Sequence, residues 1–357
     1  MSIKKSLSVF LLLSLAMSGA VLYLSLDKSS WEIFGKADRG KLALSLVMVV
    51  VVWLLDAAKL MVLTLAAGER ISYTLSLELV WINFFGAAIT PMQSGGGPFQ
   101  MYVMYKNKIG VGKTVAITFV RTILTLLILG FSIPLSLLVR QDLPNIGWGM
   151  KGFIIYIIAL VMIGWLCFVL SLVRPRVIKR WFGVIIMLLK RLGLLKAYRV
   201  TRLIRRACRE IDAYNQNLWA FMTTGRNYFL LAILAALLQM IVYLSVMPCL
   251  LWAVGIRVAY LDCIIMQALF LFMLYFIPTP GGSGAAEGGA ALVFSMFAPW
   301  SVAGMLGVGW RFITEYTGIV LGTIVVVKLI GWSLMNQIMA KGGEGGSHTE
   351  ADGGGDN

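Results

Sequence analysis

The stretch FIPTPGGSGAAEGGAALVFS, residues 276–295, interrupts a long apolar segment with two prolines, five glycines and a glutamate. The hydrocarbon core of a bilayer contains no water that could form hydrogen bonds with the N–H and C=O groups of irregular backbone. A break at that depth therefore persists only where protein or a water-filled cavity surrounds it. The stretch predicts a functional interruption of a membrane helix.

The composition indicates an integral membrane protein. Hydrophobic residues make up 59% of the 357 residues and charged residues 13%, and several apolar runs reach the length of about 18 residues that indicates a membrane span. The four cysteines are isolated from one another, and the single histidine, His348, lies in a glycine-rich tail. We therefore expect no metal site, no cofactor and no enzymatic activity.

The distribution of basic residues predicts the topology, because cytoplasmic loops retain lysine and arginine. Thirteen basic and two acidic residues lie between Arg174 and Arg226, so this segment is predicted to be cytoplasmic. A cleavable signal peptide was the alternative for the N-terminus, but the apolar run continues to Leu26, which favours an uncleaved helix. The predicted membrane helices cover residues 7–26, 41–66, 114–139, 152–173, 228–254 and 302–338.

Two further apolar segments are predicted to enter and leave the membrane on the same side. Lys106, Lys108 and Lys113 are expected to be cytoplasmic, which requires residues 75–105 to form a re-entrant hairpin from the cytoplasm. Counting the membrane crossings that follow predicts that residues 260–298 form a second hairpin, which enters and leaves the membrane from the outside. Both termini are then cytoplasmic.

The two hairpins resemble each other in sequence. Residues 87–106 read AAITPMQSGGGPFQMYVMYK, and aligning Thr90-Pro91 with Thr279-Pro280 also pairs Ser94 with Ser283. Three predicted crossings separate the hairpins, an odd number, so the copies are expected to be inverted, as in many transporters. The predicted fold is an all-α polytopic membrane protein, residues 1–340, with about six full helices and two re-entrant hairpins in an inverted repeat.

The breaks and two arginines predict an anion site. The start of a half-helix favours an anion, and an arginine within the membrane normally faces a partner or a wet cavity. Close helix packing is the alternative for the glycines, and snorkelling for the arginines. The candidate substrate-binding residues are Arg121, Arg311, Glu287, Gly281, Gly282, Ser283, Gln93, Ser94 and Gly95.

The charge partners of these arginines are predicted separately. Glu315 lies four residues after Arg311, a spacing that favours a salt bridge on one helix face. Arg121 has no such neighbour, so Glu287 or a lipid phosphate is expected to be its partner. Glu287 has three open roles: counter-ion, protonatable coupling group or helix cap. Asp56 and Lys59 are expected mainly to neutralise each other.

Residues 174–226 are predicted to form a basic, amphipathic segment on the inner leaflet that contacts anionic lipid headgroups. Nucleic acid is the rival partner for a net charge of +15, but positive-inside topology alone produces that charge, so no nucleic-acid binding is expected. Residues 341–357 are low in complexity and predicted to be disordered. The sequence also permits a homo-oligomer.

The motif PTPGG with Glu287, together with GGGPFQMYVMYK after the first break, resembles a flippase-like membrane family. This family includes the transmembrane domain of bacterial lysylphosphatidylglycerol synthases. The resemblance implies two inverted re-entrant repeats and movement of a polar, anionic lipid between leaflets, with membrane lipids as partners, in a bacterial cytoplasmic (inner) membrane. The chain departs from many relatives by carrying Pro98 and Gln100 where they have an acidic residue. A small-anion transporter or channel is the alternative function.

Overall fold

A computed structural model of the chain describes residues 3–25, 27–139 and 225–329, together with residues 219, 223 and 331. The described residues form helices connected by short turns, with one short π-helical segment, Phe312–Tyr316. The α-helices are α1 (Ile3–Ser25), α2 (Lys28–Gly35), α3 (Arg39–Ala66), α4 (Tyr73–Ala88), α5 (Gly96–Lys106), α6 (Val111–Val139), α7 (Arg226–Ala253), α8 (Tyr260–Leu274), α9 (Ala285–Ser295), α10 (Trp300–Arg311) and α11 (Thr317–Leu329).

Five helices in the described part of the chain are long and apolar enough to cross a membrane. Their apolar length is the physical cause, since about 20 residues at about 1.5 Å per residue cover a core of about 30 Å. The last of them is α10 and α11 joined through the π-helical segment. The five spans are Ser6–Ser25, Arg39–Ala66, Val111–Phe131, Arg226–Ala253 and Trp300–Leu329.

The helix-break-helix hairpins are α4 with α5 and α8 with α9. Their helices contain 16 and 11 residues in the first hairpin and 15 and 11 in the second. At about 1.5 Å per residue none of the four reaches across a core of about 30 Å. This length is the one expected of hairpins that turn back within the membrane.

Helices α3 and α7 form the centre of the bundle. Each has 28 residues, and they run antiparallel along their whole length. At one end the Asp38 N–H donates to the Ala253 carbonyl at 2.8 Å. At the other end Gly225 lies against the backbone of Ala66, with no space for a side chain. The start of each helix therefore meets the end of the other.

The hairpins pack across this centre in a reciprocal way. Helix α4 of the first hairpin packs against α11, and α8 of the second hairpin packs against α6. One apolar core surrounds Phe85 and Phe99 of the first hairpin, and a second surrounds Phe272 and Phe294 of the second. Helix α1 lies outside this arrangement and packs against α9 and α10.

The predicted fold class is confirmed, since the described chain is an all-α protein with several membrane-spanning helices. Four predicted helices agree with α1, α3, α6 and α7 to within a few residues at each end. The short α2 was not predicted. The predicted helix 152–173, nearly all of the basic segment 174–226 and the tail 341–357 lie outside the described residues.

Candidate functional site

The two breaks contact each other. We call residues 89–95 the first break and residues 275–284 the second break. Pro91 and Pro280 lie side by side in an antiparallel bridge, and the Gly281 N–H donates to the Thr90 carbonyl at 3.3 Å. The bridge joins the two hairpins at their tips.

The first break presents a polar tip on the surface. Met92 and Gln93 both have φ of 54°, a left-handed conformation that costs a residue with a side chain about 1–2 kcal/mol. Met92 is 48% exposed, and Ser94 is also exposed. In the described part of the chain, no hydrogen bond engages the backbone N–H of Met92 or of Gln93. The tip therefore offers free donors at the depth of the breaks.

Below this tip the first break is held by one threonine. The Thr90 hydroxyl donates to the Gly86 carbonyl at 2.8 Å and accepts from the Gly95 N–H at 2.7 Å. Ser94 in turn donates from its hydroxyl to the Pro91 carbonyl at 2.9 Å. These bonds fix the turn, so the exposed donors have a defined position.

The turn of the second break, residues 281–284, is rich in glycine, and its residues 281–283 are buried. Gly281, Gly282 and Gly284 have φ values of 61°, 67° and 87°, which glycine adopts without the penalty of a Cβ. A Cβ on Gly281 would lie 2.7 Å from the ring of Phe10 in α1. Gly281, Gly282 and Ser283, which the sequence predicted to contact substrate, are therefore covered by protein.

One buried charge cluster joins α3 to α6. The Asp56 carboxylate lies 2.8 Å from the Lys59 ammonium and is paired with the Arg121 guanidinium through two of its nitrogens. All three residues are buried. We call Asp56, Lys59 and Arg121 the first charge cluster; it combines two cations with one carboxylate.

Two glutamines extend the first charge cluster to neighbouring helices. The Lys59 ammonium donates to the Gln239 side-chain oxygen on α7 at 2.6 Å. Arg121 also donates to the Gln100 side-chain oxygen on α5 at 3.4 Å. Gln100 donates from its amide nitrogen to the Leu79 carbonyl at 2.8 Å, within the first hairpin. The cluster is thereby linked to the half-helix that follows the first break.

A second buried cluster lies beside the second break. The Arg311 guanidinium lies 3.8 Å from the Glu287 carboxylate and 3.6 Å from the Glu315 carboxylate. Arg311 also donates to the Gly281 carbonyl at 2.8 Å, which ties it to the second break. We call Glu287, Arg311 and Glu315 the second charge cluster; it combines two carboxylates with one cation.

Glu287 acts as both a helix cap and a counter-ion. Its carboxylate accepts from the Gly284 N–H at 2.7 Å at the start of α9 and from the Tyr316 hydroxyl at 2.6 Å. The pairing with Arg311 adds the counter-ion contact. Two of the three roles left open by the sequence are thus observed together.

The protein partner predicted for Arg121 is wrong. The sequence suggested Glu287 or a lipid phosphate, whereas Asp56 is paired with Arg121 in the structure. The reason is tertiary: α3 and α6 pack together, which places Asp56 opposite an arginine 65 residues later in the chain. Mutual neutralisation of Asp56 and Lys59 is therefore only part of their role.

Several polar contacts were missed from the sequence. Gln239 and Tyr243 on α7 contact Lys59 and Glu315 respectively, and Tyr316 contacts Glu287. Each is a polar group inside a long apolar run, and that is a usable signal, since such groups need a partner in a membrane. The sequence holds no comparable signal for the covering of the second break by Phe10.

An apolar cavity of about 230 Å³ lies on the side of the bundle where α3 begins. It is bordered by α2, α3, α7 and α10, and its lining includes Phe34, Leu46 and Trp310. Gly309 lines it as well and is exposed, so the cavity is open at the protein surface. Among the described residues, no group of three or more candidate ligands for a metal ion occurs.

Comparison with known proteins identifies the family. A relative from Archaeoglobus fulgidus, described as a UPF0104 membrane protein, is 24% identical over 316 residues, which covers 88% of this chain and 94% of the relative. The family described as "Lysylphosphatidylglycerol synthase TM region" matches residues 11–322. The chain is a multi-pass membrane protein, and it belongs to the family of the lysylphosphatidylglycerol synthase transmembrane region.

Proposed function

We propose that the protein moves anionic lipids between the two leaflets of the membrane, with the headgroup passing the exposed tip of the first break. The observation that carries this proposal is the contact of the two breaks at Pro91 and Pro280, with a polar tip exposed beside it. A headgroup that crosses the membrane needs hydrogen-bond donors at depth, because hydrocarbon supplies none. Gln93, Ser94 and the free backbone N–H groups are such donors.

Electrostatics supports an anionic cargo. The first charge cluster has one more cation than carboxylate, and both cations are nine-tenths buried or more, with Lys59 1% and Arg121 7% exposed. A surplus cation in a medium of low dielectric constant attracts an anion over several ångströms. Gln100 links this cluster to α5, whose first residues follow the exposed tip, and the N-terminus of α5 adds a partial positive charge.

The arrangement of the helices supports a transporter. The antiparallel pair α3 and α7 and the reciprocal packing of the hairpins are the features expected of an inverted repeat. Broken helices that meet at the repeat interface are typical of secondary transporters. We therefore propose that the two halves are an inverted repeat and that the hairpins enter from opposite sides, with both termini in the cytoplasm.

The apolar cavity is a candidate binding site for the acyl chain of the lipid. Its lining is almost entirely aliphatic and aromatic, and it is open at the protein surface at Gly309. We propose that an acyl chain occupies it while the headgroup moves along the first break. We propose that the partners are membrane lipids and not nucleic acid, and that the activity is transport and not catalysis. We also propose a bacterial inner membrane as the location and phosphatidylglycerol-type lipids as the cargo, a lipid class that the family description names.

A small-anion transporter or channel is the second candidate. The observation that favours it is the burial of Lys59 and Arg121, which a small ion reaches more easily than a headgroup. Chloride efflux from protein-containing vesicles, measured in the same preparation as lipid exchange, separates the two candidates. Efflux without lipid exchange supports the second candidate.

The direct test is exchange of labelled phosphatidylglycerol between leaflets of reconstituted vesicles. We expect the wild-type protein to accelerate exchange over protein-free vesicles, and the double variant Gln93→Ala, Ser94→Ala to exchange more slowly because the tip loses its side-chain donors. Ser295→Ala is the matched control, since Ser295 is also exposed and also donates to a carbonyl three residues earlier. Equal rates for the double variant and the control would contradict the proposal.

A further inference from the structure

The second charge cluster has an unbalanced charge. Glu287 is 0% exposed and Arg311 2% exposed, and the Glu315 side chain is 22% exposed. With both carboxylates ionised, this group of three carries one net negative charge within the membrane. Such a charge is costly at that depth. Binding one proton removes it.

The two carboxylates differ in how they are held. Glu287 accepts two short hydrogen bonds, from the Gly284 N–H and the Tyr316 hydroxyl, which hold its carboxylate in place. Glu315 is 3.4 Å from its hydroxyl donor Tyr243 and 3.6 Å from Arg311. Glu315 is also the more exposed of the two. It is therefore the carboxylate better placed to exchange a proton.

The surroundings contain no second cation committed to Glu315 among the described residues. The arginine of the first charge cluster is already paired with Asp56. The charged and titratable groups around Glu315 are Arg311 on α10, Tyr243 on α7, Glu287 on α9, Tyr275 at the end of α8, Tyr316 beside it, and the Asp56 and Arg121 pair on α3 and α6.

Buried polar atoms without a partner are a second, independent observation. The Arg311 Nε and the Ser283 hydroxyl are buried and have no hydrogen-bond partner among the described residues. Arg311 thus divides its charge between two carboxylates at 3.6 and 3.8 Å and makes a short hydrogen bond to neither. Its one short hydrogen bond goes to the Gly281 carbonyl, so neither carboxylate binds the guanidinium at hydrogen-bond distance.

Arg311 also connects the cluster to the joined breaks. Its Nη2 donates to the Gly281 carbonyl, and the Gly281 N–H donates to the Thr90 carbonyl of the first break. Glu315 lies in the π-helical segment Phe312–Tyr316, and such segments occur frequently at functional sites. A change in the charge of Glu315 acts on Arg311 through one ion pair. Arg311 is in turn hydrogen-bonded to Gly281, which contacts the first break.

We propose that Glu315 is a proton-binding site that controls how Arg311 holds the two breaks together. A proton from water adds to the Glu315 carboxylate, Arg311 pairs with Glu287 alone, and the proton returns to water when Glu315 ionises again. The inference rests on the proposed lipid transport for its consequence, which is that lipid exchange depends on pH. Proton binding itself does not depend on that function.

Infrared difference spectroscopy tests proton binding directly. The purified protein is compared at acidic and alkaline pH in a detergent without ester groups. We expect a protonated-carboxylic-acid band in the wild type that is lost in Glu315→Gln and shifted in Glu315→Asp. Glu69→Gln is the matched control, since Glu69 forms a half-exposed pair with Lys113, and it should keep the band. An unchanged band in Glu315→Gln overturns the proposal.

Exchange of labelled phosphatidylglycerol at a series of pH values tests the consequence, in vesicles of phosphatidylcholine and phosphatidylglycerol. We expect the wild-type rate to change with pH and the Glu315→Gln rate to be independent of pH. A Glu315 band without any lipid exchange contradicts the proposed function and leaves the proton site standing. Exchange with the same pH dependence in both proteins overturns the proposed control of the breaks by Glu315. A rate that depends on sodium at fixed pH, and loses that dependence in Glu315→Gln, overturns the assignment of a proton as the bound cation.

Discussion

The two charge clusters are opposite in composition. The first sets one carboxylate between two cations, and the second sets one guanidinium between two carboxylates. The breaks differ as well, since the first exposes its tip, whereas the glycine turn of the second lies against α1. We propose that the exposed tip of the first hairpin attracts anions and that the covered cluster beside the second break binds protons. The pairing of these properties is the basis of the proposed mechanism.

The largest expected effect comes from removing the central carboxylate of the first charge cluster. Asp56→Asn leaves two buried cations without a counter-ion, and an arginine does not lose its proton in proteins. We expect a loss of about 3–5 kcal/mol in the free energy of unfolding, measured by thermal unfolding in detergent. The control Glu69→Gln removes a half-exposed pair and should cost at most about 1 kcal/mol. Equal melting of the two variants would contradict the assignment.

The corresponding change in the second charge cluster should be milder and dependent on pH. Arg311→Gln leaves two carboxylates, and these become neutral by binding protons when they are buried. Folding of this variant then takes up protons, so its stability falls as pH rises. We expect Arg311→Gln to melt above Asp56→Asn at acidic pH and to lose that advantage at alkaline pH. Melting temperatures of both variants that run parallel across pH would refute the charge assignment.

A smaller effect is expected from the backbone of the breaks. Gly281→Ala places a Cβ at a left-handed position and 2.7 Å from Phe10, so we expect a loss of about 1–2 kcal/mol. Gln93→Gly should not lower the melting temperature, because it relieves a left-handed residue in the first break. Gly309→Ala is the control, since its Cβ would meet open space. The prediction fails if Gly281→Ala melts like this control.

Sequence reasoning reached the helices and the two breaks because both depend on local chemistry. Apolar length identifies a span, and proline with glycine identifies an interruption, so α3, α7 and both hairpins were predicted closely. The spacing of four residues between Arg311 and Glu315 also predicted their contact correctly. The partner of Arg121 was missed because Asp56 reaches it only through the packing of α3 on α6. The different exposure of the two breaks depends on α1, which the pattern of either break does not encode.

The central claim is that the surplus cation of the first charge cluster selects anionic lipids. Lys59→Gln tests it most directly, because it removes the surplus charge and leaves Asp56 paired with Arg121, so the fold should persist. The measurement is the ratio of exchange rates for labelled phosphatidylglycerol and phosphatidylcholine in the same vesicles, with Lys59→Arg as the charge-keeping control. We expect a ratio above one in the wild type and in Lys59→Arg, and a ratio close to one in Lys59→Gln. A ratio in Lys59→Gln equal to that of the wild type would contradict the account.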